Sequence, residues 1–484
     1  MQDALYSISE LYKNWKGISI ETIDVLPQSG SERRYFRLHE KDGQTLIGTY
    51  GANKKENEVF IYFSKKFSKQ DLHVATIYAV SKDGLFYIQE DFGDDSLLTL
   101  LEKDGFTNEI YLLFKKSLEA LAKLQVNGDK ELDYNRCLTN HEFGKQAIMA
   151  DLLYFKYYFL DALRRPYDKQ KLMDDFEKLS QYLAHTEYNY FMFRDFQSRN
   201  ILIDENNSPH FIDYQGGMKG APQYDVASML WQARANLSDE WKENLLNDYI
   251  LSFEKEIGEK IDVPNFKNQY NGFVLIRLLQ VLGAYGFRGL FERKAHFLTS
   301  IPFALLNLKH FLSKNVIEID TLEFQKVLAI CTEEETINYF TPIQASEQTP
   351  LLIKITSFAY KNGIPEDASG NGGGFVFDCR SILNPGRLDE YKIITGRDKP
   401  VKDFLEQQTQ MPLFLNSVFD LVDIAVTDYI KRNFENLSIN FGCTGGQHRS
   451  VFAADALARH LRNKFKVKII LTHREQHITE QKGF

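Results

Sequence analysis

The chain has 484 residues, 43% of them hydrophobic and 13% aromatic, and a formal net charge of −8. That length fits two or three domains rather than one core, and the acidic balance excludes a generic nucleic-acid coat while leaving room for a local basic patch. Four cysteines (Cys137, Cys331, Cys379 and Cys443) with no CxxC pairing exclude a disulfide framework or zinc ribbon and fit a reducing, cytoplasmic setting.

The opening segment, MQDALYSISELYKNWKG, has amphipathic helical spacing. No run of about 18 uninterrupted apolar residues occurs, so no membrane span is expected. Next, "IDVLPQSGS", "RRYFRLHE" and "TLIGTYG" read as three strands, with Asp42-Gly43 as a turn between the second and third. "KENEVFIYFSKKF" has helical spacing, and "LHVATIYAVSKDGLFYIQEDFG" reads as two more strands turning at Asp83-Gly84. Residues 20–93 are therefore expected to form a small antiparallel sheet carrying one helix, which with the opening segment makes a lobe over 1–93. From 94 to 312 long helical runs take over, interrupted by a β-rich insert, "YFMFRDFQSRNILIDENNSPHFIDYQGG". Residues 313–350 are charged and helical and end in "TPIQASEQTP", a linker candidate bracketed by Pro342 and Pro350. Strand and helix alternate again over 351–484, which predicts a smaller α/β layered domain.

The β-rich insert carries the first constellation. Asp195 precedes Asn200 by five residues, and Asp213 follows one strand and one turn later. A loop aspartate can accept the proton of a substrate hydroxyl, and an Asn carbonyl and a carboxylate across a short hairpin can share a Mg²⁺ through oxygen. An ordinary surface hairpin also places Asp and Asn in turns. The second Asp and the sheet lobe upstream favour phosphoryl transfer, with Asp195, Asn200 and Asp213 as the catalytic set.

Residues 20–312 resemble the aminoglycoside phosphotransferase/choline kinase group, relatives of the protein kinases. "FRDFQSRNILI" is similar to that group's catalytic loop, "FIDYQGG" to its metal-binding motif, and "GAPQYDVASMLWQAR" to the segment that follows. The resemblance implies a two-lobed α+β kinase fold that uses ATP and Mg²⁺. It makes Asp195 the base, Asn200 and Asp213 metal ligands, and Asp225 a brace for the catalytic loop. Arg194 stands where most of the group has His and has a structural role. With "SGSERRYFRL" and "DLLYFKYYFL" it is more similar to the anomeric kinases of N-acetylmuramate and N-acetylglucosamine, which phosphorylate the sugar at C1 in cell-wall recycling. An amino sugar is the substrate this implies.

On the nucleotide side, Ser29, Gly30 and Ser31 form a short polar turn able to lay N–H groups over phosphates, with Arg33 adding charge. A plain hairpin loop with solvated arginines fits the same residues. No Walker A sequence is present, and "TLIGTYG" lacks the lysine that protein kinases carry on this strand. Its role falls to Arg33, to Lys54 or Lys55, or to none. "YIQEDFG", with Glu90, resembles the hinge that meets adenine. Asp151, Tyr154 and Tyr158 recur at helical spacing and suit either a sugar pocket or a core stripe.

The second constellation is "LSINFGCTGGQHRSVFAADALARHL", a strand, a Gly-rich turn and an amphipathic helix. Free N–H groups and the dipole at a helix start favour an anion, and Arg449 and Ser450 add donors. The C-x5-R-S spacing also matches a tyrosine-phosphatase loop, with Cys443 as nucleophile. Together, "ITSFAYKNGIPEDA", "FVFDCRSILNP", "ITGRDKPVKDFL" and "FGCTGGQHRSV" resemble, in order, the C-terminal domain of RapZ, the bacterial RNase adaptor. That resemblance implies a sensor of a phosphorylated amino sugar, with Asp378, Arg380, Cys443, Thr444, Gly445, Gly446, His448, Arg449 and Ser450 lining the anion pocket. It also implies RNA as a partner. Here Arg459, Arg462, Lys464, Lys466 and Lys468 either touch an RNA backbone or form a solvated helix end, and RapZ's nucleotide-binding half is absent. The rival readings are an RNA-binding adaptor whose kinase half is a nucleotide switch, and a bifunctional kinase-phosphatase.

Overall fold

Short alternating runs give way to long apolar-striped ones along the chain, and the fold follows that change. The structure is a computed structural model that describes residues 2–26, 33–292, 294–315, 319–367, 369–370 and 374–482, with backbone alone at 295–296. The chain divides into two compact units, Met1–Ala284 with Phe303–Thr332, and Tyr285–Pro302 with Glu333–Phe484.

The first unit opens with α1 (Gln2–Lys16), β1 (Thr22–Val25), β2 (Arg34–His39), β3 (Thr45–Tyr50), α2 (Lys54–Phe67), β4 (Ile77–Val80) and β5 (Phe86–Glu90). The strands form one antiparallel sheet in the order β1-β2-β3-β5-β4. Period-two alternation sends Phe36 and Leu38 to one face, where they bury against Ile8 and Tyr12 of α1 and Ile88 of β5. Each such side chain contributes roughly 1.5–3 kcal/mol by leaving water. The opposite face carries Tyr35, Thr49 and Tyr87, aligned across the three central strands. Asn53 caps α2 by accepting the Glu56 N–H at 3.3 Å, which fixes Glu56 in the first turn.

Helices dominate the rest of this unit: α3 (Leu97–Asp104), α4 (Asn108–Gly128), α5 (Lys145–Phe155) and α6 (Lys169–Ala184). The expected β-rich insert follows as two small antiparallel pairs. β6 (Tyr190–Met192) pairs with β9 (Met218–Gly220), enclosing the hairpin of β7 (Ile201–Ile203) and β8 (Pro209–Phe211). Then come α7 (Gln223–Leu230), α8 (Asp239–Ile257) and α9 (Val263–Gly286). α9 is apolar on all sides, and Val263–Phe291 is by length and composition able to cross a bilayer. It is a core helix here, with 61% of its apolar window buried and Phe273, Val274, Ile276, Leu279 and Leu282 closed off from solvent. Further along the chain, α11 (Ile301–Lys314), from Phe303 on, and α12 (Leu322–Thr332) belong to this unit, while α10 (Ala295–Leu298) and α13 (Glu334–Phe340) belong to the second.

In the second unit, β10 (Leu352–Ala359), β11 (Phe375–Asp378), α14 (Lys399–Gln408), α15 (Met411–Lys431), β12 (Asn436–Cys443), α16 (Arg449–Phe465), β13 (Lys468–His473) and β14 (Ile478–Lys482) build a sheet in the order β11-β12-β10-β13-β14. The first four strands are parallel, and β14 runs antiparallel on β13. Val418, Val422 and Val426 of α15 and Ala453, Leu457 and Leu461 of α16 join Ile353, Ile355, Ile439 and Leu471 in one core. The fold class is thus the one expected: an antiparallel-sheet lobe and a helical lobe, followed by a smaller α/β domain. The sequence reading missed β14, whose polar alternation "ITEQK" marks an edge strand half in water.

Candidate active site and candidate anion site

The chain leaves β6 at Phe193 and must turn sharply into the 195–200 loop. Arg194 makes the turn in the left-handed region at φ +80°, a conformation costing about 1–3 kcal/mol for a side-chain-bearing residue. Asp225, fully buried in the first turn of α7, holds it there. Its carboxylate accepts the N–H of Phe193 at 2.8 Å, the N–H of Arg194 at 2.9 Å and Gln125 Nε2 at 2.9 Å. Burial pushes the Asp225 pKa up to about 6 in spite of these donors and the nearby Arg194 charge. Arg194 turns away from the loop. Its guanidinium pairs with both Asp151 oxygens at 2.7 and 2.8 Å and lies 4.3 Å from the Phe143 ring and 4.9 Å from that of Tyr224. Asp151, one of the sugar-pocket candidates, is therefore committed to Arg194, while Tyr154 and Tyr158 meet edge to face at 4.9 Å.

Asp195 sits one residue past the strained turn with its side chain 33% exposed. Oδ1 accepts Arg277 Nη2 at 2.9 Å and the Gln197 amide. Oδ2 accepts Arg199 Nη2 at 3.2 Å and Asn200 Nδ2 at 3.3 Å, and that amide also donates to the Asp195 carbonyl at 2.9 Å. Burial alone would raise the carboxyl. The charges of Arg277 and Arg199 and the bonds from Arg277 and Gln197 outweigh it and hold Asp195 below the usual carboxylate range. Sequence reasoning missed Arg277. The signal was there: a lone cation inside "GFVLIRLLQVLGAYG", otherwise a buried helix, needs a partner.

Asn200 and Asp213 flank the open end of the β7–β8 hairpin, joined by Ile212 N–H donating to the Asn200 carbonyl at 3.1 Å. With its amide nitrogen on Asp195, Asn200 has its Oδ1 as an acceptor. Asp213, at φ +69°, accepts Gln215 Nε2 on Oδ1 at 2.7 Å. Two such oxygens suit Mg²⁺, which takes most of its ligands from water and substrate phosphates. Among the described residues no trio of His, Cys, Asp or Glu forms a closed metal cage.

The nucleotide-side turn of Ser29, Gly30 and Ser31 lies outside the described residues. Arg33, next to it, is 5% exposed. Its guanidinium lies 3.1 Å from Glu56 and 5.5 Å from the Phe60 ring centre. Gln215 Nε2 also donates to Glu56 at 3.2 Å. Arg33, Glu56, Gln215 and Asp213 thus form one polar chain running from the sheet lobe, through α2, to the hairpin. Tyr214 anchors it by bonding Ser64 at 2.5 Å and stacking on Phe60 at 4.8 Å. The third strand carries no lysine, and Arg33 is a buried cation beside it. Glu90 closes the sheet edge, its N–H donating to the Thr76 carbonyl at 3.0 Å and its carboxylate accepting Thr76 N–H at 3.1 Å. Arg37, which the sequence did not single out, ties the connection after β5 by bonding Asp91 and Asp94, each at 2.7 Å.

In the second unit the anion-pocket candidates gather at the carboxyl ends of β11 and β12, where Asp378 pairs in register with Gly442 and Ala359 with Cys443. The 444–448 turn folds back so that Gly446 N–H donates to Cys443 Sγ at 3.2 Å, with Ser450 Oγ at the same distance. Gly446 has φ +66°, and a Cβ there would strike Glu475 at 2.4 Å, so glycine is required. Gly445 faces open space. His448 Nε2 contacts the Tyr391 carbonyl at 2.9 Å.

Arg449 starts α16 and spans from the backbone after β11 to the turn. It is 4% exposed, and its Nη1 donates to the carbonyls of Arg380 at 3.0 Å and Ile382 at 2.7 Å, with Nη2 on Thr444 Oγ1 at 3.3 Å. Its buried Nε has no hydrogen-bond partner among the described residues. Arg380 pairs with Asp378 through Nε at 2.9 Å and Nη2 at 2.6 Å, and stacks on Tyr360 at 4.0 Å. Those bonds hold Asp378 below the usual carboxylate range. Arg474 and Glu475, also missed, hold the end of β10 through the backbone of Ala359 and Gly363, and the Glu475 carbonyl accepts Gln447 Nε2 of the turn at 3.2 Å.

These two constellations belong to a kinase-type phosphotransferase unit and a smaller α/β unit. Residues 25–259 match the model of the phosphotransferase enzyme family, and residues 351–477 match that of the RapZ C-terminal domain. The chain carries a kinase-type domain of the first family and, after it, a RapZ-like C-terminal domain. It is 39% identical over 148 residues to a "nucleotide-binding protein" of Endomicrobium trichonymphae, covering 31% of this chain and 50% of that one. It is 39% identical over 143 residues to one of Lactobacillus helveticus, covering 30% and 46%. The chain thus spans about half the length of the curated relatives it matches. Among solved structures it is similar to the choline kinase LicA of Streptococcus pneumoniae, with TM-score 0.44, 13% identity, and 64% of this chain and 99% of that one covered. A choline kinase of Cryptosporidium parvum gives TM-score 0.45 and 15% identity, with 68% and 98% covered.

Proposed function

We propose that the first unit transfers the γ-phosphoryl group of ATP to a hydroxyl of an amino sugar, N-acetylmuramate or N-acetylglucosamine, at C1. We propose further that the second unit binds a phosphorylated amino sugar and regulates the first. The observation that carries the first reading is the convergence of Asp195, Asn200 and Asp213 on one strained, braced loop and hairpin. In this reading Asp195 accepts a hydrogen bond from the sugar hydroxyl and orients its oxygen toward the γ-phosphorus. As that oxygen forms its new bond to phosphorus, the bond to the ADP oxygen breaks and the hydroxyl proton passes to Asp195. Arg277 and Arg199 keep Asp195 ionised. A carboxylate held this acidic is a weak base, which suits a loose transition state in which positioning does most of the work. Asn200 and Asp213 would hold Mg²⁺, whose charge neutralises the phosphates. Arg33, fixed by Glu56, supplies the cation on the nucleotide side.

The second unit's reading rests on donors gathered at the strand ends. Arg449 ties the turn to the backbone after β11 through Nη1 and to Thr444 through Nη2 and keeps a buried, unpaired Nε, which supports a site for an anion. The deciding experiment incubates the full chain with labelled ATP and a panel of sugars and locates the phosphate on the product by NMR. Transfer to amino sugars at C1 supports the reading. ADP release that no sugar stimulates, or transfer only to choline or aminoglycosides, refutes it.

A further inference from the structure

The outer face of α2, opposite the Glu56 chain, borders a groove of about 480 Å³ that the kinase chemistry does not use. Lys54, Glu58, Ile61, Tyr62, Lys65 and Lys69 recur at helical spacing along one wall, with Lys66 beside them; Ser81, Lys82 and Gly84 of the β4–β5 turn form the other, and Arg136 closes an end. Lys65, Lys66, Lys69 and Lys82 make no ion pair or hydrogen bond among the described residues. Lys54 is 3.9 Å from Glu58, the one carboxylate in the lining. In a chain of net charge −8, five lysines and an arginine around one groove are a concentrated positive field.

We propose that this groove binds the phosphate backbone of single-stranded nucleic acid, without reading its sequence. The cations are strung out rather than converging: Lys54 to Lys69 spans about 20 Å at 1.5 Å per residue, the reach of several linked phosphates and more than one free phosphate requires. The shape is concave, so a flat lipid surface would meet only its rim. Base readout has no platform, because Tyr62 is covered by the Arg136 guanidinium at 4.0 Å and its hydroxyl accepts the Asp133 N–H at 2.8 Å. Binding is therefore electrostatic and strongly salt-dependent.

The test is fluorescence anisotropy of a labelled 12-mer oligouridylate with the full chain. Four neutralised phosphates give a slope of log affinity against log salt of about −3, at 0.7 per contact. The triple substitution Lys65→Glu, Lys66→Glu, Lys69→Glu lowers affinity at least tenfold at 50 mM salt and flattens that slope, while its thermal unfolding midpoint stays with the parent's. Lys82→Glu, on the opposite wall, lowers affinity in the same direction. The proposal is overturned if the parent does not bind the oligomer, if the triple variant binds it equally well, or if Arg459→Glu with Arg462→Glu abolishes binding instead. Displacement by uridine monophosphate at equal phosphate concentration, or a preference for phosphatidylserine vesicles, overturns it too.

Discussion

Replacing Arg277 with Met removes the guanidinium from Asp195 while keeping a long apolar stem in the α9 core. The lost contact is a charge-assisted bond of 2.9 Å from a side chain only 8% exposed, of a kind that contributes about 1.5–3 kcal/mol. At 1.36 kcal/mol per decade, kcat/KM for the acceptor sugar falls roughly 10- to 150-fold. The pH profile changes with it. The folded Asp195 carboxyl lies below its ordinary value because of Arg277, Arg199 and Gln197, so the ionised form persists to low pH. Without Arg277 its pKa rises, and the acidic limb of kcat/KM moves to higher pH. Asp195 is partly open to water, so the fold loses little, and the urea midpoint falls only slightly. The assay is coupled ADP release from pH 5 to 9 with the accepted sugar. Arg277→Lys returns the acidic limb toward the parent by restoring charge, but not the full rate, because a lysine lacks the planar fork. An unmoved limb with kcat/KM within twofold of the parent refutes the argument.

Asp195→Asn abolishes sugar phosphorylation, to below about 1% of parent, since the amide cannot take a proton and its NH2 cannot accept from Arg199 and Asn200; far-UV circular dichroism is unchanged, because Asp225 still holds the backbone of the turn. Arg33→Met and Glu56→Gln each raise KM for ATP about tenfold, measured at saturating sugar, and combine less than additively because the two residues form one ion pair. The raised Asp225 pKa makes the folded chain bind more protons than the unfolded one between the ordinary carboxylate value and about 6. Stability from this group is present at low pH and is lost as pH rises through that window. Asp225→Asn removes that slope from urea midpoints measured between pH 4 and 7, while loosening the 193–195 turn and slowing turnover at least tenfold. In the second unit, Arg449→Met frees the Arg380 and Ile382 carbonyls, lowers the unfolding midpoint of the α/β domain, and weakens glucosamine-6-phosphate binding by calorimetry.

The amino-acid order alone determined where the elements lie and which chemistry they carry. Period-two runs before residue 90 and after 351, helical periods between them, and turn residues such as Asp83-Gly84 are local signals, so the strands of both sheets were legible except the polar edge strand β14. The Asp195, Asn200 and Asp213 spacing was legible for the same reason: a loop and a hairpin are short-range structures. What tertiary structure decided is which charge answers which. Nothing near position 195 in the sequence announces Arg277, 82 residues on, or ties Arg194 to Asp151, 43 residues back. Nor does the glycine-rich run around Arg449 announce that its Nη1 is taken by two carbonyls almost 70 residues upstream. A buried cation must find its partner wherever folding brings one. That choice depends on distance in space, which periodicity and composition do not encode.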